Sequence, residues 1–293
     1  MNQATKGIVC IMLSAVLFGL MPVLVRLTCE SGSNGLNASF LRTLICLPIV
    51  YAMLRMRGIP AGFARNQWKS LFWAFGVGGA GTTTLLYLSY AYVPVGVATS
   101  LHFVYPAAVT LAYVIFFKAR PQISMWVALA ACMTGIFILE GKASDSGASL
   151  TGVILALASG LACAVYFIGI DKTELKYTSP RKLLFALCCV STLCTGVLGL
   201  LTGQITFNLT ATAWTYTIIL AVTTTFGAAG LLQRGIQLTD GTTAAILSTF
   251  EPITSFIFAA VILGEAVAAT QIISCGFILL SVVILTRTKL SSR

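Results

Sequence analysis

Ten stretches of this chain are each long and apolar enough, at about 20 residues, to cross a bilayer as a helix, and that count constrains the fold more than any other feature. They cover residues 7–27, 37–54, 70–91, 96–117, 123–141, 150–170, 183–202, 212–234, 242–263 and 269–286. Short connections carry turn and charge signals, as at Arg55, Gly58 and Pro60, at Ser179-Pro180 and at Asp240-Gly241, and leave no room for a soluble domain. Only 9% of the 293 residues are charged, whereas a soluble domain carries about 25%. The 58% hydrophobic content excludes a disordered chain as well. The first run follows Lys6 and resembles a signal peptide, but nine further runs favour a retained first helix.

Lys and Arg number 18 against 8 Asp and Glu. The basic residues cluster between apolar segments rather than forming one patch, so orientation explains them better than a nucleic-acid partner. With the N-terminus in the cytoplasm and spans alternating, the inner side holds Lys6, Arg55, Arg57, Arg65, Lys69, Lys118, Arg120, Lys172, Lys176, Arg181, Lys182, Arg234, Arg287, Lys289 and Arg293. The outer side holds only Arg26 and Lys142, and Arg42 lies inside a span. This positive-inside asymmetry places both termini in the cytoplasm. The nine cysteines form no C-x-x-C pair and sit mostly in apolar runs as small hydrophobes.

The two halves of the chain resemble one another. Gly7, Ala15 and Gly19 fall on Gly152, Gly160 and Ala164 at an offset of 145, and Ala98, Pro106 and Leu139 fall on Ala244, Pro252 and Leu285 at 146. Gly152, Ala156, Gly160 and Ala164 form a small-residue ladder that lets helices approach closely. Five spans per copy is an odd number, so the second copy enters the membrane upside down. The expected fold is all-α and polytopic, with ten transmembrane helices in a 5+5 inverted-topology repeat of units 1–146 and 147–293. Such repeats enclose a midplane site between two interchangeable gates.

With Leu17-Phe18-Gly19, Phe40-Leu41-Arg42, Ala91-Tyr92-Val93-Pro94-Val95-Gly96, Pro106, Phe250-Glu251-Pro252 and Leu263-Gly264-Glu265 in this order, the chain resembles the EamA-type branch of the drug/metabolite transporter superfamily. The resemblance implies a bacterial inner-membrane carrier, commonly an exporter of amino acids or related metabolites. It also implies a cavity lined by the third, fourth, eighth and ninth spans. The chain departs from it in one place, where Phe117-Lys118-Ala119 stands opposite Leu263-Gly264-Glu265.

Ionisable groups inside spans cost about 2.5–3.5 kcal/mol at a helix centre on insertion scales, which makes them functional candidates. Glu251 lies about 14 Å into the ninth span at 1.5 Å per residue. It is positioned to bind a substrate ammonium or a coupling proton; the alternative is a protonated, purely structural glutamate. Ser248 and Ser255 share its face at spacings of 3 and 4 residues. His102, the single histidine, falls opposite Ser248 in the repeat, and Tyr105 falls opposite Glu251. With Tyr113 these two form a second candidate face toward the same cavity. Arg42 is a candidate partner for a substrate carboxylate, although a structural arginine is the favoured reading. Thr83 and Thr224, in the runs Thr82–Thr84 and Thr223–Thr225, offer hydroxyls near mid-membrane or bond back to their own helices. Trp73, Tyr87, Tyr90 and Phe103 are candidates for stacking on a planar substrate, and Pro106 and Pro252 for compliant points.

The sequence has no phosphate-loop or H-E-x-x-H motif, so neither ATP drive nor a metal centre is expected. The reading is therefore a secondary carrier without catalytic residues or cofactor. Its expected partners are a small-molecule substrate, protons as coupling ion and the lipid bilayer, and a homo-oligomer stays open. The alternatives are an accessory or sensor protein with a carrier-like fold, or a membrane-embedded lipid-modifying enzyme.

Overall fold

The computed structural model describes residues 2–93, 95–140, 149–264 and 269–291. All ten apolar stretches are helical, and no strand occurs among the described residues. In hydrocarbon a backbone must satisfy its own N–H and C=O groups, and a helix does so within one segment. Seven segments are long and apolar enough to cross a membrane: Gln3–Glu30, Gly35–Met56, Arg65–Ser89, Leu150–Asp171, Pro180–Leu201, Ala211–Leu238 and Gly241–Leu263. Three shorter apolar helices, Tyr105–Phe117, Ile123–Ile138 and Ile272–Arg287, accompany them.

Several segments are broken, and proline marks three of the breaks. Helix α1 (Gln3–Gly19) gives way to α2 (Met21–Glu30), which carries Pro22 in its first turn. After α3 (Gly35–Met56), the third segment passes through α4 (Trp68–Leu71) and a wide π-helical stretch, Phe72–Ala80, into α5 (Gly81–Ser89). The fourth splits into α6 (Val95–His102) and α7 (Tyr105–Phe117). Then come α8 (Ile123–Glu140), α9 (Leu150–Asp171) and α10 (Pro180–Leu201). The eighth segment repeats the π pattern, with α11 (Ala211–Leu220), the π-helical Ala221–Ala229 and α12 (Gly230–Leu238). The ninth splits into α13 (Gly241–Ser248) and α14 (Glu251–Leu263), and α15 (Ala269–Ser291) closes the chain.

Both ends of α6 and of α7 recur 146 residues later in α13 and α14. Pro106 and Pro252 stand in the first turns of α7 and α14, where a missing N–H costs least. Both of those helices stop on a left-handed residue, Lys118 at φ 50° and Gly264 at φ 68°. The departure noted in the sequence is therefore one of residue type, not of backbone: lysine adopts a turn that glycine makes more cheaply. Lys142 and Glu265 lie outside the described residues, as does the side chain of Leu139.

Packing follows the same pairing. Helix α3 lies against α10, and α8 against α15. Helix α9 packs on α5 with its preceding π stretch and on α6 and α7, while α1 packs on α12 with its π stretch and on α13 and α14. Glycines permit these approaches. A Cβ on Gly7 would stand 2.6 Å from Thr239 Cγ2, and one on Gly152 would stand 2.7 Å from Val93 Cγ1.

Two ends of the bundle can be told apart by their cross-links. At one, Ser70 donates to Glu174 Oε1 at 2.9 Å, Gln67 to Thr178 at 3.1 Å and Gln237 to the Thr178 carbonyl at 2.7 Å. This end carries most of the basic residues, among them Lys182, which lies 4.7 Å from the Phe63 ring centroid. At the other, the Asn37 amide bonds both Thr206 backbone groups, and Thr210 donates to the Ser31 carbonyl at 2.9 Å. Between the ends, Leu13, Ile115, Phe116 and Val261 are exposed and apolar, as lipid-facing side chains must be.

Candidate functional site

A cavity of about 670 Å³ opens between the two halves of the chain, within the range typical of small-molecule sites. Its lining includes Cys29, Gly35, Tyr87, Tyr90, Ala91, Thr202 and Gln204, which place its mouth at the end with few basic residues. Deeper, it is lined by Arg42, Thr82, Thr83, His102, Tyr105, Cys163, Tyr166, Phe167, Thr224, Ser248 and Glu251. The helix breaks explain this convergence. Each ends one short helix on a cavity residue, His102 or Ser248, and starts the next on another, Tyr105 or Glu251.

Glu251 is half-buried, and its side chain makes no ion pair or hydrogen bond among the described residues. Arg42, on α3, is also half-buried. Its Nη1 donates to Thr224 Oγ1 at 3.2 Å and approaches Met21 Sδ at 3.5 Å, while its buried Nε has no partner. No carboxylate pairs with it among the described residues. The cavity thus holds one acid and one base, neither neutralised by the other or by a neighbour.

His102 Nδ1 lies 3.0 Å from Ser159 Oγ, and that hydroxyl donates its single proton to the Ala156 carbonyl at 2.7 Å. The imidazole must then be the donor through Nδ1–H, which in the neutral ring leaves Nε2 as an acceptor. Tyr105 stacks on Phe167 with centroids 5.4 Å apart and planes 13° apart. Its hydroxyl is within hydrogen-bonding reach of Ser248, whose own proton goes to the Ala244 carbonyl at 2.8 Å. The threonines serve both ways: Thr83 and Thr224 line the cavity and bond back to the Gly79 and Leu220 carbonyls at 3.3 and 2.7 Å.

Some expected residues stand elsewhere. Ser255 does not line the cavity; its backbone nitrogen packs where a Cβ of Gly19 would stand. Ser255 lies one turn beyond Glu251 within α14, and of that helix only Glu251 lines the cavity. Tyr113 is on α7 but two turns beyond Tyr105, and its hydroxyl bonds Asp171 instead. Trp73 is about half exposed on the outer surface, and Thr84 lines a separate apolar groove. Pro106 and Pro252 shape the breaks without lining the cavity. Cys163, Tyr166 and Phe167 of α9 were not anticipated; they follow from the small-residue ladder of Gly160 and Ala164, which brings that helix against the broken α6–α7.

The sequence model of the EamA-like transporter family matches residues 5–140 and 150–287. The threonine/homoserine exporter RhtA of Escherichia coli strain K12 is 28% identical over 223 residues, which is 74% of this chain and 70% of the exporter. The exporter of the same name from Salmonella typhimurium strain SL1344 is 38% identical over 107 residues, 36% of this chain and 34% of its own. An uncharacterized transporter of Synechocystis, sll1319, is 26% identical over 71% of this chain and 63% of its own. A solved crystal structure matches the fold with a TM-score of 0.85, covering 97% of each chain at 14% identity.

Proposed function

Because this chain belongs to the EamA-like transporter family, we propose that the cavity is the substrate site of a secondary carrier that exports an amino acid or a closely related solute. One observation carries the reading: a single cavity holds an uncompensated acid, Glu251, and an uncompensated base, Arg42. A zwitterion satisfies both at once. Glu251 takes the ammonium, Arg42 the carboxylate through its planar fork, and His102 Nε2 and Tyr105 accept or donate to the remaining polar atoms. Thr83, Thr224 and Ser248 supply hydroxyls along the wall. Between turnovers Glu251 carries a proton, which makes protons the coupling ion. The similarity to threonine/homoserine exporters supports this substrate class.

The carrier works by alternating access, with two five-helix units, 1–146 and 147–293, inserted in opposite directions as ten spans. Three observations support that topology. The broken helices α6–α7 and α13–α14 have matching bounds. The family model matches twice. Gly7 at the start of the first unit packs on Leu238 and Thr239, whereas Gly152 at the start of the second packs on Tyr92 and Val93, and these contacts belong to opposite ends of the bundle. The basic end faces the cytoplasm of the inner membrane, so the cavity is in its outward-facing form, and the breaks before Pro106 and Pro252 are the compliant points.

The test is extracellular accumulation. Cells expressing the chain are expected to release threonine, homoserine or a related amino acid faster than cells lacking it, and to tolerate toxic analogues at higher dose. Equal release and equal sensitivity across an amino-acid panel, with the protein present in the membrane, would favour an accessory or sensor role.

A further inference from the structure

The basic end of the bundle is closed by a buried polar cluster that the substrate site does not use. Asp171, the last residue of α9, has a side chain with no exposed area. It accepts a hydrogen bond from the Tyr113 hydroxyl of α7 and from Lys176 Nζ at 2.6 Å, and Lys172 Nζ lies 3.6 Å away. The Tyr113 oxygen in turn accepts the Gly241 N–H at 3.2 Å, in the first turn of α13. Lys172 also sits over the Tyr113 ring, 4.6 Å from its centroid. A Cβ on residue 241 would stand 2.6 Å from the tyrosine oxygen, so the closed arrangement requires glycine there.

We propose that Asp171, Tyr113, Lys176 and the Gly241 amide form a latch that holds this end shut and so keeps the cavity open at the other. One tyrosine hydroxyl joins α7 to the end of α9 and to the start of α13, and the far ends of α7 and α13 carry Tyr105 and Ser248 at the cavity. Separating the basic ends of α7 and α13 therefore requires the tyrosine to leave the glycine amide, and moving α7 off α9 requires it to leave the aspartate. The repeat does not carry these residue types to the opposite end. Asp171 falls on Arg26 at the repeat offset of 145, and Tyr113 and Gly241 fall on Ala259 and Val95 at 146. Arg26 pairs with Glu30 of its own helix at 2.9 Å. The two gates are chemically different, and the latched one sets which state the protein rests in. As a gate, the latch rests on the carrier reading; as a bistable contact between three helices, it stands alone.

The test reads both ends in purified full-length protein in detergent, where a charged maleimide reaches each end independently of any orientation. Cys163 reports on the cavity, and Ala245→Cys, on a fully buried position of α13, reports on the latched end. Residue-specific labelling is followed by mass spectrometry. Asp171→Asn and Tyr113→Phe are each expected to slow labelling at Cys163 and speed it at Ala245→Cys, by on the order of tenfold. Tyr113→Phe removes a single oxygen and carries the test if the aspartate variant does not fold. Unchanged rates at both positions would overturn the latch, and so would faster labelling at both, which marks local unfolding. Amino-acid flux of the unsubstituted protein is measured alongside. Reciprocal labelling without flux keeps the latch and removes the carrier reading, while flux with unchanged labelling does the reverse.

Discussion

Glu251→Gln is expected to lower amino-acid counterflow in proteoliposomes about 100-fold or more while leaving the protein folded. The amide keeps the shape and most of the hydrogen-bonding capacity of the carboxyl group and removes only the charge and the titratable proton. A hydrogen bond to a charged partner contributes about 1.5–3 kcal/mol, which accounts for roughly tenfold to a little over 100-fold in substrate affinity; loss of proton coupling adds to that. The stability change has the opposite sign. An uncompensated carboxylate in a largely apolar cavity is costly, so the neutral variant should melt at the same temperature as the parent or above it. A glutamate whose role was to brace neighbouring helices would behave the other way, with a lowered melting temperature and flux near the parent value.

Arg42→Gln is expected to weaken binding of the zwitterion roughly 10- to 150-fold, the loss of one charge-assisted contact, and to leave binding of the corresponding decarboxylated amine unchanged. Competition against a labelled amino acid measures both ligands on one preparation. The contrast separates a carboxylate site from a structural arginine, whose loss would weaken both ligands together. The sequence alone favours the structural reading, because an isolated arginine five residues inside a span can reach headgroups or cap carbonyls. The geometry changes the balance: Nη1 is spent on a threonine hydroxyl and a thioether, and the buried Nε on nothing.

Hydropathy made the ten helical segments legible, since each apolar run must resolve its backbone polar groups internally. Pro106 and Pro252 mark the breaks in the sequence, but residue spacing alone does not say which residues beyond a break reach the cavity. The spacing that places Ser255 on the face of Glu251 gives no depth, and along α14 only Glu251 reaches the cavity. His102 and Tyr105 line the cavity opposite Ser248 and Glu251, because the offset between the halves is preserved through the breaks. The π-helical stretches Phe72–Ala80 and Ala221–Ala229 have no local signature, since tertiary packing decides the wider turn. Asp171 escaped notice because a carboxylate at a helix end beside lysines reads as an interfacial charge. Only the approach of α7 and α13 shows that its side chain is wholly buried.

The central claim is that a single cavity, holding Glu251 and Arg42, is presented in turn to the two sides of the membrane. Counterflow tests it most directly: proteoliposomes loaded with unlabelled threonine or homoserine are diluted into a trace of the labelled amino acid with no ion gradient imposed. The account predicts transient accumulation of label well above equilibrium, absent from protein-free liposomes and abolished by Glu251→Gln. Folded, reconstituted protein that brings in no more label than empty liposomes, for any member of an amino-acid panel, would contradict it.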